Sequence, residues 1–354
     1  MYPRLKTQNI ISNGIILLSA MNDEAMILGA ALLSFIVTLV TLPYLIKKFK
    51  EKGITGRDVH KGKLQVPEMG GLAVVVGFFS GIFFILFFIE NQYPSIIAAC
   101  IAVLGACILG IIDDLMELRQ RIKGLLPFFF GIPLGITLAD RFIDIPFNGQ
   151  LEVGVLIYIL VPLAITCAAN ATNMLEGFNG LSVGMNLIMG ITLLVIATGE
   201  KQEQTLYLLI PLLCALTVFL FFNKYPARIF PGDTFTLFTG AVIASAAIVS
   251  NLYFYALILY IPFILEFFLK FFGKLKRSGI RKWNNTPWAQ SFGKVDKEGY
   301  LKYEGPTESL THAAMKGIRL KEHQLVFVFW VLEAVIAAIC LILYFFSSGV
   351  EVGF

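Results

Sequence analysis

An all-α integral membrane protein with about ten transmembrane helices is the fold class that the sequence predicts, and three observations predict it. The 354 residues are 57% hydrophobic and only 15% charged, and they include 32 phenylalanines. With a mean hydropathy of +0.78, this is too apolar for a soluble chain of such length. The apolar residues gather in runs of the length needed to cross a bilayer, roughly 20 residues. The basic residues are divided very unequally between the loops that these runs create.

Taken in order, the apolar windows centre on 26–46, 69–89, 95–112, 125–139, 152–169, 181–198, 205–222, 234–250, 252–272 and 325–346. The fourth is short, and Pro127 and Pro133 are expected to bend it. Residues 1–354 read as a single polytopic membrane domain, with 273–324 as a long loop inside it. At the N-terminus, Arg4 and Lys6 are followed by polar Asn22, Asp23 and Glu24 before the first long run. That order lacks a signal-peptide pattern, so the segment is expected to be retained. The five cysteines (Cys100, Cys107, Cys167, Cys214 and Cys340) lie in or beside apolar runs without CxxC or metal spacing, and read as packing residues.

Ten spans sort the loops onto two faces. One face, with residues 47–68, 113–124, 170–180, 223–233 and 270–324, holds 24 of the 28 Lys and Arg residues, and the other face holds 4. The positive-inside rule makes the first face cytoplasmic and leaves both termini outside. Every polar motif falls on that cytoplasmic face: DVHKGKLQVPEMGG at 58–71, IIDDLMELRQRIKGLLP at 111–127, NATNMLEGFNG at 170–180 and FNKYPARIFPGDTF at 222–235.

Asp113 and Asp114 end an apolar helix, with Glu117 one turn on. Adjacent acids near low dielectric call for a cation or a basic partner. Oxygen-only ligands favour Mg²⁺ or Mn²⁺, while the plainer alternative is a solvated helix end paired with Arg119 or Arg121. Asp233 stands where a helix N-cap would, and a simple cap is its plainer reading. Asn170 and Asn173 share a helix face, and Gly177 and Gly180 permit close backbone approach to a ligand; the asparagines equally suit bonds across helices. Arg121 and Lys123 flank the acids, and Asn223, Lys224 and Arg228 form a set suited to phosphate. Lys61, Lys63, Arg277, Arg281 and Lys282 add further positive charge. Basic groups beside carboxylates are equipment for clamping a pyrophosphate and its metal, although basic loops also attract anionic lipid headgroups. There is no Walker A or GxGxxG pattern, and His60, His312 and His323 are too scattered for a zinc site. A secondary transporter would place its ionisable groups near mid-bilayer, and a merely structural subunit would not need five polar loops on one face.

The motifs DVHK, VPEMGG, GIIDDLMELRQRIKGLLP, NATNMLEGFNGL and YPARIFPGDTF occur in that order between about 58 and 250. They resemble the polyprenyl-phosphate N-acetylhexosamine-1-phosphate transferases, above all the eukaryotic and archaeal enzymes that move GlcNAc-1-phosphate from UDP-GlcNAc to dolichyl phosphate. The resemblance implies Mg²⁺, or Mn²⁺, held by Asn173 and Asp233, and catalytic roles for Asp113, Asp114 and Lys123 near the lipid phosphate. It implies that Asn170 and Asn179 line the uridine side, and that Asp58, Lys61 and Glu68 of the first loop, with Arg228, complete the substrate-binding set. The implied partners are UDP-GlcNAc, dolichyl or polyprenyl phosphate and the bilayer, with a homodimer admissible and no nucleic acid. Glu117 departs from the Asp or Asn of the family. The segment KVDKEGYLKYEGPTESLTHAAMKG resembles archaeal members. Relatives that use UDP-MurNAc-pentapeptide carry a histidine-rich motif in the last cytoplasmic loop, where this chain has isolated His312 and His323, so UDP-GlcNAc is the expected donor. Another N-acetylhexosamine donor, serving cell-wall or surface polysaccharide, is the alternative within the family.

Overall fold

The computed structural model describes residues 23–57, 65–89, 93–116, 118–138, 141–278 and 292–348. Asp58, Lys61, Glu117, Arg281 and Lys282 lie outside the described residues. In chain order the elements are α1 (Asp23–Lys52), β1 (Thr55–Arg57), β2 (Gln65–Pro67), α2 (Gly71–Phe88), α3 (Pro94–Met116), α4 (Gln120–Thr137), β3 (Phe142–Ile145) and β4 (Gly149–Glu152). After these come α5 (Ile157–Leu175), α6 (Leu181–Gly199), α7 (Glu203–Asn223), α8 (Gly232–Val249), α9 (Tyr253–Leu259) and α10 (Ile261–Ser278). The chain continues through β5 (Lys294–Val295), β6 (Leu301–Lys302), α11 (Leu310–Gly317) and α12 (Glu322–Ser348).

Each of the ten apolar windows falls on helix. Among the described residues, eight helices are long and apolar enough to cross a membrane, or nine if α9 and α10 form one broken span. The chain is therefore a multi-pass membrane protein. The fourth window, α4, is not among those spans: its 18 residues include Arg121 and Lys123 along with Pro127 and Pro133. The ninth window is not straight, since α9 and α10 meet at 58°. Pro262 lies in the first turn of α10, where its missing N–H and its restriction of the preceding residue favour a fresh helix start. The segment 273–324 is likewise more than a loop. It begins inside α10, and it contains the antiparallel β5–β6 hairpin and α11. The fold is thus helical throughout the spans, with three two-stranded antiparallel sheets between them among the described residues.

The core is organised around α8, the most enclosed of the spans, 89% of which is buried. Helices α2, α3, α5, α6 and α7 all pack on it. In lipid there is little hydrophobic drive between helices, so close approach relies on small side chains. Gly110 of α3 supplies this where it matters, because a Cβ there would lie 2.5 Å from the Thr234 Cα. The end of α3 is thereby pressed against the first turn of α8.

Candidate active site

The polar loops converge through specific bonds at one end of this bundle. The first loop is tied to the fourth by Phe230 N–H donating to Pro67 O at 2.7 Å, and by Gly70 and Gly71 N–H donating to Phe230 O and Pro231 O at 2.8 and 2.9 Å. The third loop joins the fourth through Asn223. Its Oδ1 accepts from Gly180 N–H at 3.0 Å, and its Nδ2 donates to Ile229 O at 3.0 Å. Gly180 has φ +85°, a left-handed conformation that glycine adopts without strain. The fifth segment reaches the third through the Lys270 ammonium, which donates to Met174 O, and through the Glu322 carboxylate, which accepts from Asn179 N–H at 3.1 Å.

At the centre of these loops is a four-residue cluster from four helices. Asp113, buried at the end of α3, accepts from Leu118 N–H at 2.6 Å and meets the Lys123 ammonium at 2.5 Å. Lys123, on the first turn of α4, also pairs with Asp233, on the first turn of α8. The Asn173 amide nitrogen, on the last turn of α5, donates to Asp233 Oδ1 and to Thr236 Oγ1, the latter at 2.8 Å. A buried lysine between two carboxylates is the compensation such acids require near low dielectric. The basic partner of Asp113 is therefore Lys123, rather than the Arg119 or Arg121 of the plainer sequence reading.

Asp114 points elsewhere. Its Oδ1 accepts from Asp233 N–H at 2.6 Å, and its Oδ2 accepts from Thr234 N–H at 2.9 Å and Thr234 Oγ1 at 2.5 Å. It caps α8 from another helix, satisfying amides that helix starts leave unpaired. This sets aside the plainer reading of Asp233 as the cap. Pro231 occupies that position without a side-chain cap bond, and Asp233 is free to face Lys123 and Asn173. Gly232, at φ +75°, lies against Asp114, and a Cβ there would come 2.7 Å from the carboxylate.

The other expected residues are spread around this centre. Asn170 donates to Thr166 O at 2.8 Å and to Gly124 O at 3.3 Å, fixing α5 to α4. Glu68 is close enough to Asp114 to feel its charge; burial first, and that charge second, raise its carboxyl above the usual range. Asn179 is buried with its backbone N–H held by Glu322, and Arg228 is exposed with its guanidinium over the Phe222 ring.

Three charged side chains beside the cluster escaped the sequence reading. Glu176 is half-buried and bonded to the Ser182 hydroxyl. Burial pushes its carboxyl up to about 7 against the pull of Ser182 and the Gly177 and Ser182 amides, with Asp233 adding to the rise. Glu266 pairs with Lys270 at 3.1 Å and accepts from Ser309 Oγ at 2.8 Å and Leu310 N–H at 2.8 Å. It thereby fastens α11 onto α10. The available signal was two opposite charges four residues apart inside an apolar run, a spacing that places them on one helix face.

Comparison with known proteins identifies the family. The family model described as glycosyl transferase family 4 matches residues 96–251. A Saccharolobus solfataricus protein named as a UDP-N-acetylglucosamine–dolichyl-phosphate N-acetylglucosaminephosphotransferase is 38% identical over 90% of this chain and 96% of its own length. The chain belongs to the polyprenyl-phosphate N-acetylhexosamine-1-phosphate transferase family. A Schizosaccharomyces pombe protein with the same activity in its name is 27% identical over 68% of this chain and 66% of its own. A Bacillus subtilis protein named as an undecaprenyl-phosphate N-acetylglucosaminyl 1-phosphate transferase is 31% identical over 62% of each.

Proposed function

We propose that this family member transfers GlcNAc-1-phosphate from UDP-GlcNAc to dolichyl or another polyprenyl phosphate and releases UMP, the opening step of lipid-linked oligosaccharide assembly for N-glycosylation. The carrying observation is the Asp113–Lys123–Asp233–Asn173 cluster, in which four helix ends present two acids, a cation and an amide to a single point. On this reading the cluster faces the cytoplasm, α4 and the bent α9–α10 pair bring the spans to ten, and both termini lie outside. The 24 to 4 division of basic residues supports that orientation.

A hard divalent cation, Mg²⁺ or Mn²⁺, fits the donor set. Among the described residues no three His, Cys, Asp or Glu side chains are grouped to hold a metal alone. Asp233 and Asn173, with Asp113 adjoining, nevertheless offer oxygen donors of the kind Mg²⁺ takes together with substrate phosphates. Asn173 presents its oxygen to that point if its amide is turned over, an assignment fixed only by its hydrogen-bond partners. When bound, the ion neutralises charge developing on the pyrophosphate.

The side chains supply the rest. Lys123 leaves one carboxylate to hold a donor phosphate oxygen, and Asp113 aligns the acceptor phosphate. An acceptor phosphate oxygen forms the new P–O bond to the β-phosphorus of UDP-GlcNAc. The bond from that phosphorus to the bridging oxygen breaks, and UMP leaves with the electron pair. The test supplies UDP-GlcNAc, UDP-GalNAc, UDP-glucose and UDP-MurNAc-pentapeptide in turn to purified protein with dolichyl phosphate, with and without a chelator. Metal-dependent UMP formation with UDP-GlcNAc is expected, whereas a preference for the pentapeptide donor would move the chain to the cell-wall branch.

A further inference from the structure

Two helix ends meet at the cluster, and each is capped from another helix by a charge of complementary sign. The N-terminus of α8, which carries Asp233, is held by the Asp114 carboxylate of α3. The C-terminus of α5, which carries Asn173, is met by the Lys270 ammonium of α10, the donor to Met174 O. Met174 directly follows Asn173, and its carbonyl is among the last four of α5, which no later turn of that helix can satisfy. A cation at this point also complements the partial negative charge of a helix C-terminus.

Lys270 is a built part of the interior. Between Ile261 and Phe272 it and Glu266 are the only charged residues. Lys270 is 9% exposed and Glu266 1%, and the two pair at 3.1 Å. Glu266 is fixed in turn by Ser309 Oγ and Leu310 N–H, which donate to it at 2.8 Å from the start of α11. The direction of the ammonium is thereby set from one side by an anchored carboxylate and from the other by the end of α5. Across the same turn of α5, the Asn173 amide bonds to Asp233 and Thr236 of α8. The last turn of α5 is therefore gripped between α10 and α8.

We propose that Lys270 is a positioning residue for the reaction, fixing the last turn of α5 and with it the Asn173 amide against Asp233. Lys270 acts through the α5 backbone and not on the reacting atoms. Glu266 aims it, so the docking of α11 and the placement of Asn173 share one ion pair. This inference rests on the proposed reaction.

Lys270→Met leaves Glu266 as an unpaired buried charge. The test therefore uses Lys270→Met/Glu266→Gln, which removes both charges and keeps an acceptor for Ser309 and Leu310. Hydrogen exchange of the purified protein without substrates is expected to rise severalfold at residues 170–176 and to stay at the wild-type level in α11. With UDP-GlcNAc and dolichyl phosphate, kcat for UMP release is expected to fall on the order of tenfold, as a small misplacement of an active-site group does. KM for dolichyl phosphate should be unchanged. Lys270→Arg, which keeps a cationic donor, should recover part of the rate and of the exchange protection. Wild-type exchange at residues 170–176, or wild-type kcat despite raised exchange there, would overturn the proposal. Exchange raised throughout the bundle would also overturn it, by making Lys270 a general stabiliser. Absence of UMP from the wild-type protein would overturn the proposed reaction, and this inference with it.

Discussion

Asp233 is held by Lys123 and Asn173 while its own backbone N–H is held by Asp114, so the two acids of the DD motif have different work. Asp113 faces Lys123 within the cluster, and Asp114 builds the helix start that aims Asp233. Asp233→Asn and Asn173→Ala are expected to lower turnover by about 100-fold or more, the usual size for removing one stabilising group from a preorganised centre, with little change in thermal stability. Near-wild-type rates at limiting Mg²⁺ would remove both residues from the site. Asp114→Ala should instead cost stability, by about 1–2 kcal/mol for a lost cap, together with rate. Asp114→Asn, which keeps an acceptor oxygen, should recover part of each. Thermal unfolding and initial rates of the two variants, measured side by side, check this. Residue types alone singled out Asp113 and Lys123 as charges at a helix end but left Asp233 as a plain cap; it was the family motifs that drew Asn173 and Asp233 into the same set. The capping by Asp114 was hidden because its partner lies 119 positions away, and no local pattern encodes such a bond.

At the scale of elements, the helices were legible and their breaks less so. Long apolar runs place spans without reference to tertiary packing, and all ten windows fall on helix. The bend between α9 and α10 had a local signal in Pro262, but the run reads as continuous when only hydropathy is followed. The docking of α11 by Glu266 depends on residues more than 40 positions apart, which periodicity cannot pair. The helix contact that positions the site is α3 against α8, where Gly110 meets the Thr234 backbone. Gly110→Ala is expected to lower stability by about 1–3 kcal/mol through overpacking and to reduce turnover, because the backbone it displaces carries Asp233. Differential scanning of the detergent-solubilised protein with a parallel rate measurement tests this, and an unchanged rate would detach the α3–α8 contact from the geometry of the site.

The whole molecule divides its polar groups by face. Four of the five basic-face loops are bonded to one another near the cluster, and the fifth segment is fastened to the third by Lys270 and Glu322. An enzyme moving sugar phosphate from a water-soluble nucleotide sugar to a membrane-bound phosphate needs such a surface at the boundary of the bilayer. Epitope tags at either terminus should accordingly be reached from outside intact cells, while a tag in the β5–β6 hairpin should be reached only after permeabilisation. The reverse pattern would turn the site to the wrong side for a cytosolic nucleotide. The most direct measurement of the central claim follows the phosphorus itself, with the reconstituted protein given UDP-GlcNAc labelled at the β-phosphate together with dolichyl phosphate. The label is expected to pass into the lipid fraction in equal amount to the UMP released, and Asp233→Asn is expected to stop both. Label remaining with the nucleotide as UDP would mean that sugar moves without its phosphate, and would rule out sugar-1-phosphate transfer.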